Sequence, residues 1–299
     1  MIAPVPVWID TDPTVLPGGH EVDDGFAIAQ AFRSPELRVI GVSSIFGNGD
    51  IDCCHASAEA MVAAFGPKGM TVHRGAATPG EMSATPAAQA ITQAARSNTQ
   101  PRLTILALGP LTNVAAALIQ APDIAAQIAS IIWVAGRLPG QAFRASDQQA
   151  EAFADLNFEQ DVAAARAVLA STVPIVLTSW TVCSKAHLGK AEVARLATAD
   201  AACRVLHGPA SDWLDLWRDQ FALDYFMPFD TLAVAQASGI GDIAGFAGRA
   251  WIELTQPPVL IASSDNTAPA NARPVWFATD VGDKFTETLM TRMTTPINQ

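Results

Sequence analysis

Basic residues are scarce in this 299-residue chain: 18 Lys and Arg stand against 29 Asp and Glu, a formal net charge of −11. A nucleic-acid surface rewards clustered Lys and Arg, so the balance argues against a nucleic-acid partner. It leaves room for a small neutral ligand, and much of the acidity can serve solubility alone. Cysteines are few as well. Cys53, Cys54, Cys183 and Cys203 contain no C-x-x-C pair, so neither a zinc site nor a disulfide framework is indicated. No apolar run reaches membrane-spanning length. The N-terminus, MIAPVPVWIDTDP, lacks a basic n-region, a long apolar h-region and a cleavage signal. The expectation is a reduced, cytoplasmic protein without a membrane partner. No internal repeat or low-complexity linker divides the chain, and residues 1–299 are expected to form one domain.

Apolar residues make up 50% of the chain and charged ones only 16%, ample material for a large core. Val5–Ile9 is β-branched and apolar, a candidate buried strand. Residues 10–19 then break regular structure with two prolines and two glycines. Val22–Phe32 patterns as a helix. Strand signals recur at Arg38–Ile45, Leu103–Leu108, Ser130–Ala135 and Pro174–Thr178. Alanine-rich helical stretches lie between them at 54–65, 85–96, 111–120 and 159–170. This alternation predicts an α/β fold, an open and mostly parallel sheet with helices on both faces. Residues 184–220 add a helical region, a helix follows Asp230, Trp251–Leu254 and Pro274–Ala278 read as late strands, and 281–293 closes with a helix.

The densest chemistry is in DTDPTVLPGGHEVDDGFAI. Asp10 and Asp12 fall where the first strand ends, and Asp23 and Asp24 where the first helix begins. In open α/β sheets ligands occupy the crevice beyond the carboxyl ends of the strands. Four acids desolvated there would repel one another, and a hard cation such as calcium or magnesium would relieve that repulsion. Each acid has a duller reading: Asp10 could brace a turn, and Asp23 or Asp24 could cap the helix. One cap, however, needs one carboxylate. Asp230 in MPFDTLAVA is another cap candidate. In FADLNFEQD, Asp155 and Asn157 sit two apart, which on an extended backbone would point both to one side. Asn48 follows a strand in IFGNGD and could serve either a turn or the site edge.

These residues resemble the inosine–uridine-preferring nucleoside hydrolase family, whose first strand and helix are joined by D-x-D-P-G-x-D-D. Asp10, Asp12 and Pro13 match its first half and Asp23 and Asp24 its final pair, with a longer insert and Thr14 in place of glycine. LGPLTNVA (108–115), IIWVAG (131–136), DLNFEQDVAAA (155–165) and FDTLAVA (229–235) match further family segments in order. The resemblance implies a calcium-dependent N-ribohydrolase acting on a nucleoside or related N-riboside, commonly a homodimer or homotetramer. By the same token Asp12, Asp24, Asp230 and the Leu108 carbonyl would hold Ca2+, and Asp12 would also be the general base. Asp23, Asn48, Asp155 and Asn157 would hold the ribose, Asp155 with a side chain one methylene shorter than the family's glutamate.

The chief departure is Phe229, where many members carry a histidine able to protonate the leaving base. His20, inside the enlarged first loop, is the candidate replacement donor. Trp180, Trp213, Trp217 and Tyr225 could contribute aromatic surface to a base pocket. Two other functions compete. A ribosyl-ligand binder would keep the metal but lose turnover, because metal binding and leaving-group activation are separable. A magnesium phosphatase of the haloacid dehalogenase type would read DTDPT as D-x-D-x-T, with an aspartyl nucleophile; its LGPLTN and FDTLAV segments would then be unexplained.

Overall fold

The structure is a computed structural model that describes residues 3–16, 18–19, 21–147, 149–264 and 268–295. Strand β1 (Val5–Thr11) leads through the aspartate-rich loop to helix α1 (Asp23–Phe32). The chain then alternates through β2 (Leu37–Ser44), α2 (Ile51–Phe65), β3 (Val72–Arg74), α3 (Pro86–Ser97), β4 (Leu103–Ala107), α4 (Thr112–Gln120) and β5 (Ile128–Trp133). A long excursion carries the short helix α5 (Leu156–Glu159) and α6 (Val162–Ala170) before β6 (Ile175–Leu177) and α7 (Trp180–Cys183). A helical region follows, comprising β7 (Leu188–Gly189), α8 (Lys190–Thr198), α9 (Ala201–Phe221), β8 (Tyr225–Phe226) and α10 (Thr231–Ser238). The chain ends with β9 (Ala244–Glu253), β10 (Val259–Ser263), β11 (Arg273–Asp280) and α11 (Phe285–Thr294).

Helix starts follow local chemistry. Asp50, Thr85, Asp161 and Asp200 each accept a hydrogen bond from the backbone N–H three residues on, which opens α2, α3, α6 and α9. Pro86 stands at the first position of α3, where its missing N–H costs nothing.

Nine strands form one sheet in the order β10-β9-β11-β6-β5-β4-β1-β2-β3. Every pairing from β11 to β3 is parallel, and β9 and β10 add an antiparallel edge. Alternate side chains of each inner strand go to opposite faces. Val7, Ile9, Leu106 and Ile132 join one buried cluster with α1, α9 and α10. Trp8, Ile105, Ile131 and Trp133 join the other with α3, α4 and α6. The expected two-faced, mostly parallel α/β architecture is therefore present. The edge strand β10 and the first seven residues of β9 were not legible in the sequence. AGFAGR has little strand propensity, and its strand character comes from pairing with β11.

The feature that positions a site is the reversal of strand order at β1. From β1 the chain winds outward through β2 and β3, then returns to the other side at β4. A crevice opens at such a reversal beyond the carboxyl ends of the strands. Asp10 pairs with Ala107 across it, and the Leu108 N–H donates to the Asp10 carbonyl at 2.8 Å. The segments after β1 and β4, carrying Asp12 and Leu108, therefore emerge side by side.

Candidate active site

A cavity of about 470 Å3 opens at this crevice. Its polar floor includes Glu21, Asp23, Asn48, Leu108, Asp155, Asn157, Gln160 and Asp230. The rest of its lining is mostly apolar and carries several aromatic rings. Asp12 and Asp24 lie beneath the floor, 1% and 0% exposed, and Asn48 connects them to it. The Asn48 backbone N–H donates to Asp12 Oδ2 at 2.7 Å, and its side-chain amide donates to Asp24 Oδ2 at 3.2 Å. Asp24 Oδ1 accepts from the Thr11 hydroxyl and, at 3.3 Å, from the Asp12 N–H.

Asp23 and Asp24 form the first turn of α1, after Val22, rather than capping it. The Asp23 carboxylate accepts backbone N–H bonds from Phe229 and Asp230, which ties α1 to the start of α10. Asp230 precedes α10 but its side chain makes no cap bond; it hydrogen-bonds Asp24 instead. Asp155 and Asn157 do not share an extended backbone. The Asp155 carbonyl accepts from the N–H groups of Phe158 (3.0 Å) and Glu159 (2.7 Å), closing a helical turn over the buried Phe158. Both side chains still reach the cavity wall. Asp155 Oδ2 accepts from the Gly136 N–H at 2.8 Å, and the Asn157 amide donates to the carbonyls of Leu108 (2.6 Å) and Val134 (3.0 Å). A carbonyl has two lone pairs, so Leu108 can still serve a second partner.

Asp10 has a supporting part. Its Oδ1 accepts from the Ser43 hydroxyl and from the Asn113 amide at 2.9 Å, so it is turned away from the cavity. It is not presented as the nucleophile a D-x-D-x-T phosphatase would require. Three floor residues escaped sequence reasoning. Glu21 accepts from the N–H of Thr14 at 2.6 Å and of Asp24 at 3.2 Å, stitching the enlarged loop to α1. The Gln160 amide donates to the Gly47 carbonyl at 3.0 Å. Gly47 itself lies against Asp12. The position of Glu21, two residues before the Asp-Asp pair, was the available signal for the first. His20 lies outside the described residues.

Electrostatically the floor is unbalanced. Burial, then the charge of Asp24, raises the pKa of Asp12 well above the carboxylate range. Asp24 is pushed up to about 7 by burial and by Asp23. Burial also raises Asp230 and Glu21 far above normal, and the charges bearing on Asp230 are Asp24, Asp23, Asp12 and Glu21, all negative. Among the described residues no three or more His, Cys, Asp or Glu side chains form a finished metal-binding group. The carboxylates instead hydrogen-bond among themselves and to Thr11 and Asn48. Their chemistry nevertheless fits a hard dication. Asp12 Oδ1 is a buried acceptor with no hydrogen-bond partner, a costly state for such an atom. The donors that could converge on it, Asp24, Asp230 and the Leu108 carbonyl, are all oxygens, as calcium requires.

Seven aromatic residues line the cavity beside this floor: Phe143, Phe153, Trp180, Trp213, Trp217, Phe221 and Phe229. Trp213, Trp217 and Phe221 recur on one face of α9 at helical spacing. Phe143 and Phe153 are brought together by a backbone bridge in the loop after β5. Trp180 stacks on Phe143 (centroids 5.1 Å apart, planes at 10°) and contacts Phe229 at 5.5 Å. Tyr225 does not join them, since it stacks on His187 and does not line the cavity.

Residues 7–273 match the sequence profile of the inosine-uridine preferring nucleoside hydrolases. An uncharacterized protein of Schizosaccharomyces pombe is 28% identical over 216 residues, covering 64% of this chain and 66% of that protein. The pyrimidine-specific ribonucleoside hydrolase RihA of Klebsiella pneumoniae is 26% identical over 216 residues, covering 64% and 65%. The matched part is thus just under two thirds of either relative. In structure, the chain superposes on a plant nucleoside hydrolase, PpNRh1, with TM-score 0.84 and 21% identity over 98% of this chain and 100% of that one. A purine-preferring ribonucleoside hydrolase from Gardnerella vaginalis gives TM-score 0.80 and 20% identity over 97% and 98%. At such identities the structures speak for the fold alone.

Proposed function

Given that the chain belongs to the inosine-uridine preferring nucleoside hydrolase family, we propose that it is a calcium-dependent N-ribohydrolase. It splits the N-glycosidic bond of a ribonucleoside or related N-riboside into ribose and free base. Residues 1–299 act as one domain in this reading, in a homodimer or homotetramer in the cytoplasm.

The observation that carries the reading is the unpartnered Oδ1 of Asp12, buried among acidic neighbours below a cavity that is polar on one side and aromatic on the other. Asp12, Asp24, Asp230 and the Leu108 carbonyl would hold calcium, which supplies the positive charge that makes a water molecule easier to deprotonate. Asp12 accepts the water proton through its free oxygen. Asp23, Asn48, Asp155 and Asn157 hydrogen-bond the ribose hydroxyls and keep C1′ within reach of that water. As the base departs, positive charge grows on the sugar, and the carboxylates around it stabilise that charge. The aromatic walls enclose the base. The relatives' own names include pyrimidine-specific and purine-preferring enzymes, so base preference does not carry over from them.

Phe229 supports a second reading, a ribosyl-ligand binder without turnover, because a phenyl ring cannot protonate a departing base. Reducing-sugar release separates the two. Wild-type protein is assayed on purine, pyrimidine and activated ribosides with calcium and after chelation, beside Asp12→Asn. Calcium-dependent release that falls roughly 10²–10⁴-fold in Asp12→Asn is expected. Tight binding without release from folded, calcium-loaded protein would leave the binder.

A further inference from the structure

The aromatic half of the cavity has a composition with chemical consequences. Among the described lining residues there are seven aromatic rings and four carboxylates, but no Lys, Arg or His. The rings form one connected group: Phe153 contacts Trp180 at 5.6 Å, Trp217 at 6.2 Å and Phe221 at 5.1 Å, and Phe229 contacts Trp180 at 5.5 Å and Trp217 at 6.5 Å. Arg137 packs its guanidinium on the Phe143 ring at 4.3 Å but does not line the cavity, and its charge is paired with Glu159. The lining carboxyls are engaged at the floor: Glu21 with Thr14, Asp24 and Asp23, Asp155 with Gly136, Asp23 and Asp230 in the network around Asp24. The indole N–H groups of Trp213 and Trp217 have no partner, yet an indole N–H donates a hydrogen bond without giving up its proton.

Such a wall suits one class of leaving group. A neutral base takes up an electron pair as the C1′–N bond breaks, and departs easily only if it is protonated. A base whose ring already bears a permanent positive charge needs no proton. When its C1′–N bond breaks, the bonding pair falls to the ring nitrogen and cancels that charge, and the base leaves neutral. The water oxygen bonds to C1′ and its proton passes to Asp12. Charge is then moved from base to sugar, towards the carboxylate floor, rather than created. Aromatic faces attract an organic cation, and the acidic floor adds to that attraction. We propose that the substrate is a ribonucleoside with a permanently cationic aromatic base, such as an N-ribosylpyridinium or a ring-alkylated purine riboside. This rests on the hydrolase reading above.

The test uses calcium-loaded full-length protein and four probes: nicotinamide riboside, 7-methylguanosine, guanosine and p-nitrophenyl riboside. The last departs as a stable anion without a proton, and so reports the hydrolytic machinery independently. Cleavage of both cationic ribosides at kcat/KM roughly 100-fold or more above guanosine is expected. In addition, 1-methylnicotinamide should inhibit p-nitrophenyl riboside cleavage roughly tenfold better than neutral nicotinamide, a readout of cation recognition free of leaving-group reactivity. Phe229→His should narrow the ratio of 7-methylguanosine to guanosine at least about tenfold, by supplying a donor and removing a ring face. Trp180→Leu, which leaves Phe229 in place, should weaken 1-methylnicotinamide more than nicotinamide. Guanosine cleaved as fast as the cationic ribosides would overturn the proposal and leave the hydrolase standing, with His20→Ala then reporting whether His20 is the donor. Cleavage of p-nitrophenyl riboside alone, or equal inhibition by the two nicotinamides, would also overturn it. No cleavage of any probe would remove the hydrolase reading, and this proposal with it.

Discussion

Gly47 lies so close to the carboxylate of Asp12 that a β-carbon built on it would fall 1.9 Å from Oδ2. Gly109 confines the other oxygen in the same way, at 2.5 Å from Oδ1. Both glycines follow inner strands, so two backbone segments form a cradle that fits the acid only without side chains. Gly47→Ala should therefore push Asp12 out of position and lower kcat/KM roughly 100-fold, since a displacement of about 1 Å at a reacting group is worth that much. Gly109→Ala should do the same, and both should weaken calcium binding by calorimetry. A Gly47→Ala enzyme within about twofold of wild type would show that the position of Asp12 is not critical.

Asp155 is buried and its pKa is raised to about 7, chiefly by desolvation and against the pull of the Gly136 N–H and Arg137. Its carboxylate form prevails above that pH and accepts hydroxyl hydrogen bonds more strongly than the protonated form. KM should fall as pH rises through about 7. Asp155→Asn keeps an acceptor for Gly136 but cannot ionise, so this part of the KM profile should flatten. Asp155→Ala orphans the Gly136 N–H and should lose a further ~1–3 kcal/mol of stability. An unchanged KM profile in the asparagine variant would remove Asp155 from ribose binding.

Legibility followed the range of the interactions. The alternation of strands with alanine-rich helices is local, and it predicted the parallel sheet; the opening aspartates stand at strand and helix ends, which a sequence displays directly. Pairing at the sheet edge is not local, so β9 began seven residues before the predicted Trp251 and β10 was missed. The aromatic wall was partly visible, because Trp213 and Trp217 share a helical face. Phe143 and Phe153 met them only through loop geometry, which has no periodicity to read. The helical turn after Asp155 likewise depends on burying Phe158, a tertiary event.

Asn113, the last residue of the LGPLTN segment, braces the site without itself lining the cavity. Its amide donates to Asp10 Oδ1 at 2.9 Å and to the Ser44 carbonyl at 3.1 Å, and its Oδ1 accepts from the Ala76 N–H at 2.9 Å. One buried side chain thus joins the ends of β1 and β2 to the start of α4. Asn113→Leu leaves three buried polar groups short of a partner and should cost ~2–4 kcal/mol, or a melting point roughly 5 °C lower. Chemical denaturation with an unchanged m-value checks this. A loss under about 0.5 kcal/mol would mean that water replaces the amide.

Stability should fall with rising pH in chelated protein, and calcium should reverse this. Asp10, Asp24 and Asp155 have pKa values raised to about 6, 7 and 7, each with burial as the largest cause. In the unfolded chain these acids titrate near 3.8. Between those limits the folded protein binds more protons than the unfolded chain, so the slope of unfolding free energy against pH is negative. The penalty is absent below the unfolded pKa, grows through the window and is complete above about pH 7, where the hydrogen bonds to each buried carboxylate only partly offset its desolvation. A dication held by Asp12, Asp24 and Asp230 favours their ionised forms and offsets the loss where it is greatest. The melting temperature of chelated protein should therefore drop on the order of 5 °C between about pH 5 and pH 8. Calcium should raise it far more at the upper end than at the lower, whereas magnesium, smaller and stricter in geometry, should do less. Asp12→Asn removes one buried charge, so its chelated form should melt higher than chelated wild type near pH 8 while gaining less from calcium. A calcium increment that is the same at both pH values would rule out linkage between this carboxylate floor and the ion.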